Sequence, residues 1–268
     1  MLAMIAVAAG CGGSGGDDTE AEVEPAPERP ALSTSAVPTT AGGPTVPATN
    51  LTLRLADVRV VNSEESDSGM RVLLPAGVAT ASVTVNGLPT PNRVISVCQA
   101  RELERRLSGA ACRTPANGEA VTVTLGSAAT GVEIAQVGVS GPGPEGNLTS
   151  LSDVTIRYAA SSREVSMRLQ EIAGSDAGGR PTFTMTPAGS GAYRSQLNWK
   201  IIQVFGGTDS RGQLELLQGG NVANQAESAN TQVQLNGTAP AGASDLAIRV
   251  RNIGTAAMVT PQLTATFP

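Results

Sequence analysis

Leu51-Thr52-Leu53-Arg54-Leu55-Ala56-Asp57-Val58-Arg59-Val60 is the stretch whose reading decides the fold. A strand sends successive side chains to opposite faces, so the three leucines line one face while Thr52 and Arg54 line the other. The alternation then slips by one residue, and Val58 and Val60 continue it on even numbers. A bulge or a bend absorbs such a slip. The same period recurs at Met70-Val72-Leu74, Ala81-Val83-Val85, Val121-Val123-Leu125, Val132-Ile134, Val137-Val139, Val154-Ile156-Tyr158 and Val165-Met167-Leu169. Pro75-Ala76-Gly77, Asn86-Gly87, Asn117-Gly118 and the Gly141 to Gly146 stretch punctuate these runs as turns. Short, half-polar strands at this spacing predict an all-β chain of antiparallel sandwiches, of jelly-roll or immunoglobulin-like type.

A break at residues 174–181, Gly-Ser-Asp-Ala-Gly-Gly-Arg-Pro, reads as a linker. It divides a first sandwich, residues 51–173, from a second, residues 182–268. The second carries its own ladder: Phe183-Met185, Leu197-Trp199-Ile201, Leu214-Leu216, Val233-Leu235, Leu246-Ile248-Val250 and Leu263-Ala265-Phe267. Asn236-Gly237 and Pro240-Ala241-Gly242 echo Asn86-Gly87 and Pro75-Ala76-Gly77. Their order along the chain is swapped, so the echo does not establish a duplication. The run Gly212-Gln213-Leu214-Glu215-Leu216-Leu217, followed by Pro240-Ala241-Gly242 and Leu246-Ala247-Ile248-Arg249-Val250, resembles the jelly-roll modules of the pre-peptidase C-terminal family. That resemblance implies a sandwich and transfers no binding residue.

Upstream of the ladders, residues 1–10 carry a short apolar run too brief to span a bilayer. It ends in Ala8-Ala9-Gly10-Cys11, which resembles the lipobox of bacterial lipoproteins. The resemblance implies a signal peptide over residues 1–10 and lipidation of Cys11 by a diacylglyceryl group, with palmitate-type chains anchoring the protein to a membrane. Residues 11–50 hold almost no large apolar side chain and cannot offset their ordering entropy. They read as a disordered, lipidated tether spanning about 35 Å as a flexible coil. Extracytoplasmic placement in the cell envelope follows as the expectation.

Cys98 and Cys112 remain as an even pair, which in an exported chain predicts a disulfide. Such a bridge contributes about 3 kcal/mol on the chain-entropy account. Between the two cysteines, Ala100, Leu103 and Leu107 share one helical face and Glu102 and Arg106 stand at i,i+4, predicting a short helix near residues 99–108 that Gly109 stops.

The net charge of −5 is uneven. Asp17, Asp18, Glu20, Glu22, Glu24 and Glu28 face only Arg29 in the first fifty residues, so the remainder is neutral. A neutral body offers no electrostatic footprint for nucleic acid. The absence of histidine removes Ser-His-Asp and Cys-His nucleophiles and most zinc sites. No residue set indicates catalysis or a cofactor, and paired carboxylates for glycoside cleavage cannot be recognised from spacing. Glu64, Glu65 and Asp67 form the densest oxygen-ligand loop, but without calcium-loop spacing, and a solvated acidic loop is the simpler reading. Aromatics make up only 2% of the chain. Tyr193 and Trp199 are the close pair that would stack on a sugar, although the alternation of Trp199 with Leu197 and Ile201 favours a core role. The expectation is a non-enzymatic envelope lipoprotein presenting a protein- or glycan-binding surface. A spacer without a ligand, or a carboxylate-based hydrolase or accessory module of one, are the competing classes.

Overall fold

The computed structural model describes residues 47–61, 69–87, 94–127, 129–137, 148–202, 209–240 and 245–268. Residues 1–10, read as a signal peptide, Cys11, nearly all of residues 11–50, read as a tether, and Glu64, Glu65 and Asp67 lie outside the described residues. The strands are β1 (Thr49–Val61), β2 (Met70–Leu73), β3 (Thr80–Asn86), β4 (Val94–Ala100), β5 (Cys112–Arg113), β6 (Ala120–Thr124), β7 (Gly131–Val137), β8 (Leu148–Ala160) and β9 (Glu164–Arg168), followed by β10 (Thr182–Met185), β11 (Gly191–Ile202), β12 (Gly212–Gln218), β13 (Asn221–Ser228), β14 (Gln232–Ala239), β15 (Leu246–Asn252) and β16 (Ala257–Thr266).

Two eight-stranded sheets form a sandwich, the first in the order β13-β12-β15-β10-β1-β8-β3-β6 and the second in the order β14-β11-β16-β9-β2-β7-β4-β5. The order β1-β8-β3-β6 against β2-β7-β4-β5 is that of a jelly roll. The second half repeats it: β10-β15-β12-β13 matches β1-β8-β3-β6, and β16-β11-β14 matches β9-β2-β7. Only β4 and β5 lack a counterpart. The repetition that the swapped turn motifs did not establish is present in the strand order.

The halves are joined through equivalent strands. β1 pairs antiparallel with β10, placing Leu53 opposite Met185 and Leu55 opposite Phe183. β9 pairs antiparallel with β16, placing Val165 opposite Ala265 and Met167 opposite Leu263. Antiparallel pairing of equivalents relates the halves by a pseudo-twofold axis through the seam. Residues 174–181 lie between β9 and β10, and the two halves of the strand order share both sheets and one continuous core. That segment is not a solvated linker. The Ser175 and Asp176 amides donate to the Gly254 and Asn252 carbonyls, both at 2.7 Å. The Arg180 amide donates to the Asp57 carboxylate at 2.6 Å.

The slip after Leu55 is shared by both paired strands. Leu55 and Val58 are buried with Ala56 and Asp57 exposed between them, and β8 buries Val154 and Leu151 at the facing positions. Register is continuous from Thr49 opposite Ala160 to Val61 opposite Leu148. The slip is thus a bend made by two strands together, with Asp57 at φ 53°, and not an inserted residue.

The predicted helix near residues 99–108 is absent. β4 continues through Ala100, opposite Gly131 of β7, and the Cys98–Cys112 disulfide pairs β4 with β5. The intervening chain folds as an irregular flap over the second sheet. Its carbonyls are taken by arginines of the sheet, so they are lost to helical bonding: Arg71 Nη1 donates to Leu103 O at 2.9 Å and Arg168 Nη1 to Glu104 O at 3.2 Å. Arg106 turns to Glu133 at 3.9 Å instead of Glu102.

The described aromatic side chains fill the core. Tyr158 is buried between Leu51 and Ala81 of the adjoining strands, and its hydroxyl has no hydrogen-bond partner among the described residues. Burial pushes its pKa upward, with Arg163 opposing in part. A raised acid pKa means stability that is complete below the unfolded value of about 10 and is lost as pH rises beyond it. Urea melts between about pH 8 and 11 should show this loss in the native chain and not in Tyr158→Phe. At the lower pH the variant should match the native chain within about 1 kcal/mol, because no hydrogen bond is removed.

Candidate binding face

Tyr193 and Trp199, the pair considered for sugar stacking, are buried at 3% and 5% exposure, which excludes stacking on an external ring. Asn224 donates to the Tyr193 hydroxyl at 2.7 Å, and the Trp199 indole donates to Ser210 at 2.8 Å. Asn236-Gly237 is not a turn. It lies within β14, where the Tyr193 ring covers Gly237 and fills the space a side chain there would need.

The outward faces of the sheets carry the polar half of each alternation. On the second sheet one cross-strand row runs Cys98–Glu133–Arg71–Arg168–Gln262–Asn198–Gln232. The flap covers its charged end, leaving Arg71 and Glu133 buried with Nε to Oε2 at 3.2 Å. The Glu104 carboxylate accepts from the Gln262 amide farther along. Beyond the flap the surface is amide and hydroxyl: Gln234 donates to Gln196 at 3.2 Å, and Ser166 and Thr264 lie 3.2 Å apart. A shallow depression of about 220 Å³ there is lined by one base, Arg194, and one acid, Glu164, among amides and hydroxyls.

The first sheet is different in its two halves. In the second half the arginines are matched by acids. Arg249 meets Glu215 at 3.1 Å, and Arg251 meets Glu215 at 3.0 Å and Asp176 at 2.6 Å. These hydrogen bonds, the one donated to Asp176 first, hold the Arg251 pKa above its ordinary value. In the first half Arg54 and Arg157 stand exposed on diagonal positions of β1 and β8, since Thr52 faces Arg157 and Arg54 faces Thr155. Neither has an ion pair among the described residues. Around them lie two adjoining depressions. One, of about 180 Å³, is lined by Thr52, Arg54, Arg157, Thr184, Thr186 and Asp245. The other, of about 430 Å³, shares Thr52 and Arg157 and adds Thr80, Ser82 and Thr122. Asp245, the one acid in these linings, accepts from Thr186 at 3.0 Å. Arg163 donates to the Thr186 carbonyl at 2.6 Å, bringing a third guanidinium to the rim.

Sequence reading missed this face because Thr52, Arg54 and Arg157 look like ordinary solvent-facing positions of strands. Whether an arginine is matched depends on cross-strand neighbours that spacing along one strand does not reveal.

No family model matches the chain, and no curated protein matches it. Among solved structures it is similar to the tandem CBM51 modules of a family 98 glycoside hydrolase from Streptococcus pneumoniae, at 7% identity and TM-score 0.26, covering 78% of this chain and 88% of that one. It is also similar to the infectious bursal disease virus VP2 subviral particle, at 12% identity and TM-score 0.25, covering 84% and 74%. A fucolectin from striped bass matches at 8% identity and TM-score 0.20, covering 82% and 84%. Similarities of this size carry no argument about function.

Proposed function

We propose that the chain is a non-catalytic lipoprotein of the cell envelope, anchored through lipidated Cys11 and presenting a binding face to an envelope protein or glycan. The observation that carries the binding role is the pair Arg54 and Arg157, exposed without ion pairs among the described residues on a Thr/Ser sheet face, where Arg249 and Arg251 on the same sheet of the other half are matched by acids. Guanidinium groups form strong, charge-assisted bonds to anionic acceptors, and flanking hydroxyls both donate and accept. The apolar run ending in Ala8-Ala9-Gly10-Cys11 and the polar stretch behind it support the anchor.

Two measurements test the reading. Cys11→Ser should move the protein from the membrane fraction to the soluble one, and continued membrane retention would overturn the anchor. The full chain carrying Cys11→Ser, immobilised, should retain an envelope component that the further change Arg54→Gln/Arg157→Gln releases. Equal retention by both proteins would remove the face from the function.

A further inference from the structure

Each half carries an arginine beside a threonine of its seam strand, and only one of the two faces a carboxylate on its other side. β8 and β15 occupy the same place in their halves, each between the strand at the seam and the next one outward. Across the second half the row reads Thr182, Arg249, Glu215. Across the first it reads Thr52, Arg157, Ser82. Glu215 bridges Arg249 and Arg251, with its two oxygens at 3.1 and 3.0 Å. Ser82 stands where that carboxylate would be and supplies only a hydroxyl.

We propose that this face binds a carboxylate-bearing glycan, whose carboxylate takes the place beside Arg157 that Glu215 takes beside Arg249, with Arg54 on the neighbouring strand β1 as a second cation on the same face. The assignment rests on the binding role proposed above and names its ligand class. Three features favour an acidic glycan. The depressions are lined by the hydroxyls of Thr52, Thr80, Ser82, Thr122, Thr184 and Thr186, arrayed at the strand separation of about 4.8 Å, and these suit a polymer that presents hydroxyls of its own. Among the described residues, the aromatics Tyr158, Phe183, Tyr193, Trp199 and Phe267 are all buried, so the face offers charge and hydroxyls and no described ring for stacking, which favours an anionic glycan over a neutral one. An extended acidic peptide, in contrast, gains most by adding to a sheet edge. Arg157 lies on β8, which is paired on both sides, by β1 and β3.

The test titrates the full chain carrying Cys11→Ser with polygalacturonate, dextran and polyglutamate, by affinity electrophoresis and calorimetry. Polygalacturonate should bind, and dextran should not. Arg54→Gln/Arg157→Gln should weaken binding at least about tenfold, the loss expected for a hydrogen bond to a charged group. Ser82→Glu leaves both arginines in place and supplies a carboxylate facing Arg157 from within, so it should also weaken binding severalfold. Circular dichroism melts identify variants that keep the native fold. Unchanged binding in folded Ser82→Glu, or equal binding of dextran, would overturn the proposal. Tighter binding of polyglutamate than of polygalacturonate would overturn the glycan assignment in favour of an acidic peptide. Failure to bind polygalacturonate, while the arginine double variant still releases the envelope component, would reject the ligand class and leave the binding role standing.

Discussion

Glu133→Ala should lower stability by about 3–5 kcal/mol, the loss expected when one partner of a buried ion pair is removed. Arg71 is fully buried and Glu133 is exposed by only 1%. The same carboxylate faces Arg106 of the flap at 3.9 Å, and Arg71 in turn holds the flap through Leu103 O. The charge therefore secures both the sheet and the segment laid over it. Glu133→Gln keeps the shape and an acceptor for Arg71 Nε, so it should lose less than the alanine variant. Urea denaturation at neutral pH measures both. A loss below about 1 kcal/mol for the alanine variant would show that the pair is not what secures the flap.

Phe183→Ala should cost a similar amount, about 3–5 kcal/mol, because a fully buried aromatic leaves a cavity its surroundings fill only in part. Its location makes the variant diagnostic. Phe183 lies on β10 between Leu55 of the first half and Ile248 of the second. If the shared sheets and core make one cooperative unit, the change should shift a single transition for the whole body. Trp199, the one tryptophan, reports the second half by fluorescence, while far-ultraviolet circular dichroism reports strands of both. The two curves should coincide in the native chain and move together in the variant. Separate transitions would mean that the halves fold independently across the seam.

Much of the body was legible in the sequence. Leu51-Leu53-Leu55, Val83-Val85, Ile248-Val250 and their like became buried strand faces where alternation put them, because a strand's period is local. The disulfide partners were legible by parity. β13 was not, because its residues are mostly exposed and Asn221-Val222-Ala223-Asn224 carries no buried stripe to alternate. The flap was misread for a related reason. The helical spacing of Ala100, Leu103 and Leu107 is real, but the Leu103 and Glu104 carbonyls found Arg71 and Arg168, which lie thirty and more residues away.

By itself, then, the sequence determined that the chain is all-β, where most strands run, and which cysteines meet. Those properties follow from side-chain alternation, turn chemistry and cysteine count, all read within a few residues of one another. Only the tertiary structure decided that the halves share two sheets, that their strand orders repeat, and that Arg157 faces Ser82 where Arg249 faces Glu215. Lateral strand order and cross-strand register join residues some 30 to 130 positions apart, and charge compensation across a sheet is set by those joinings.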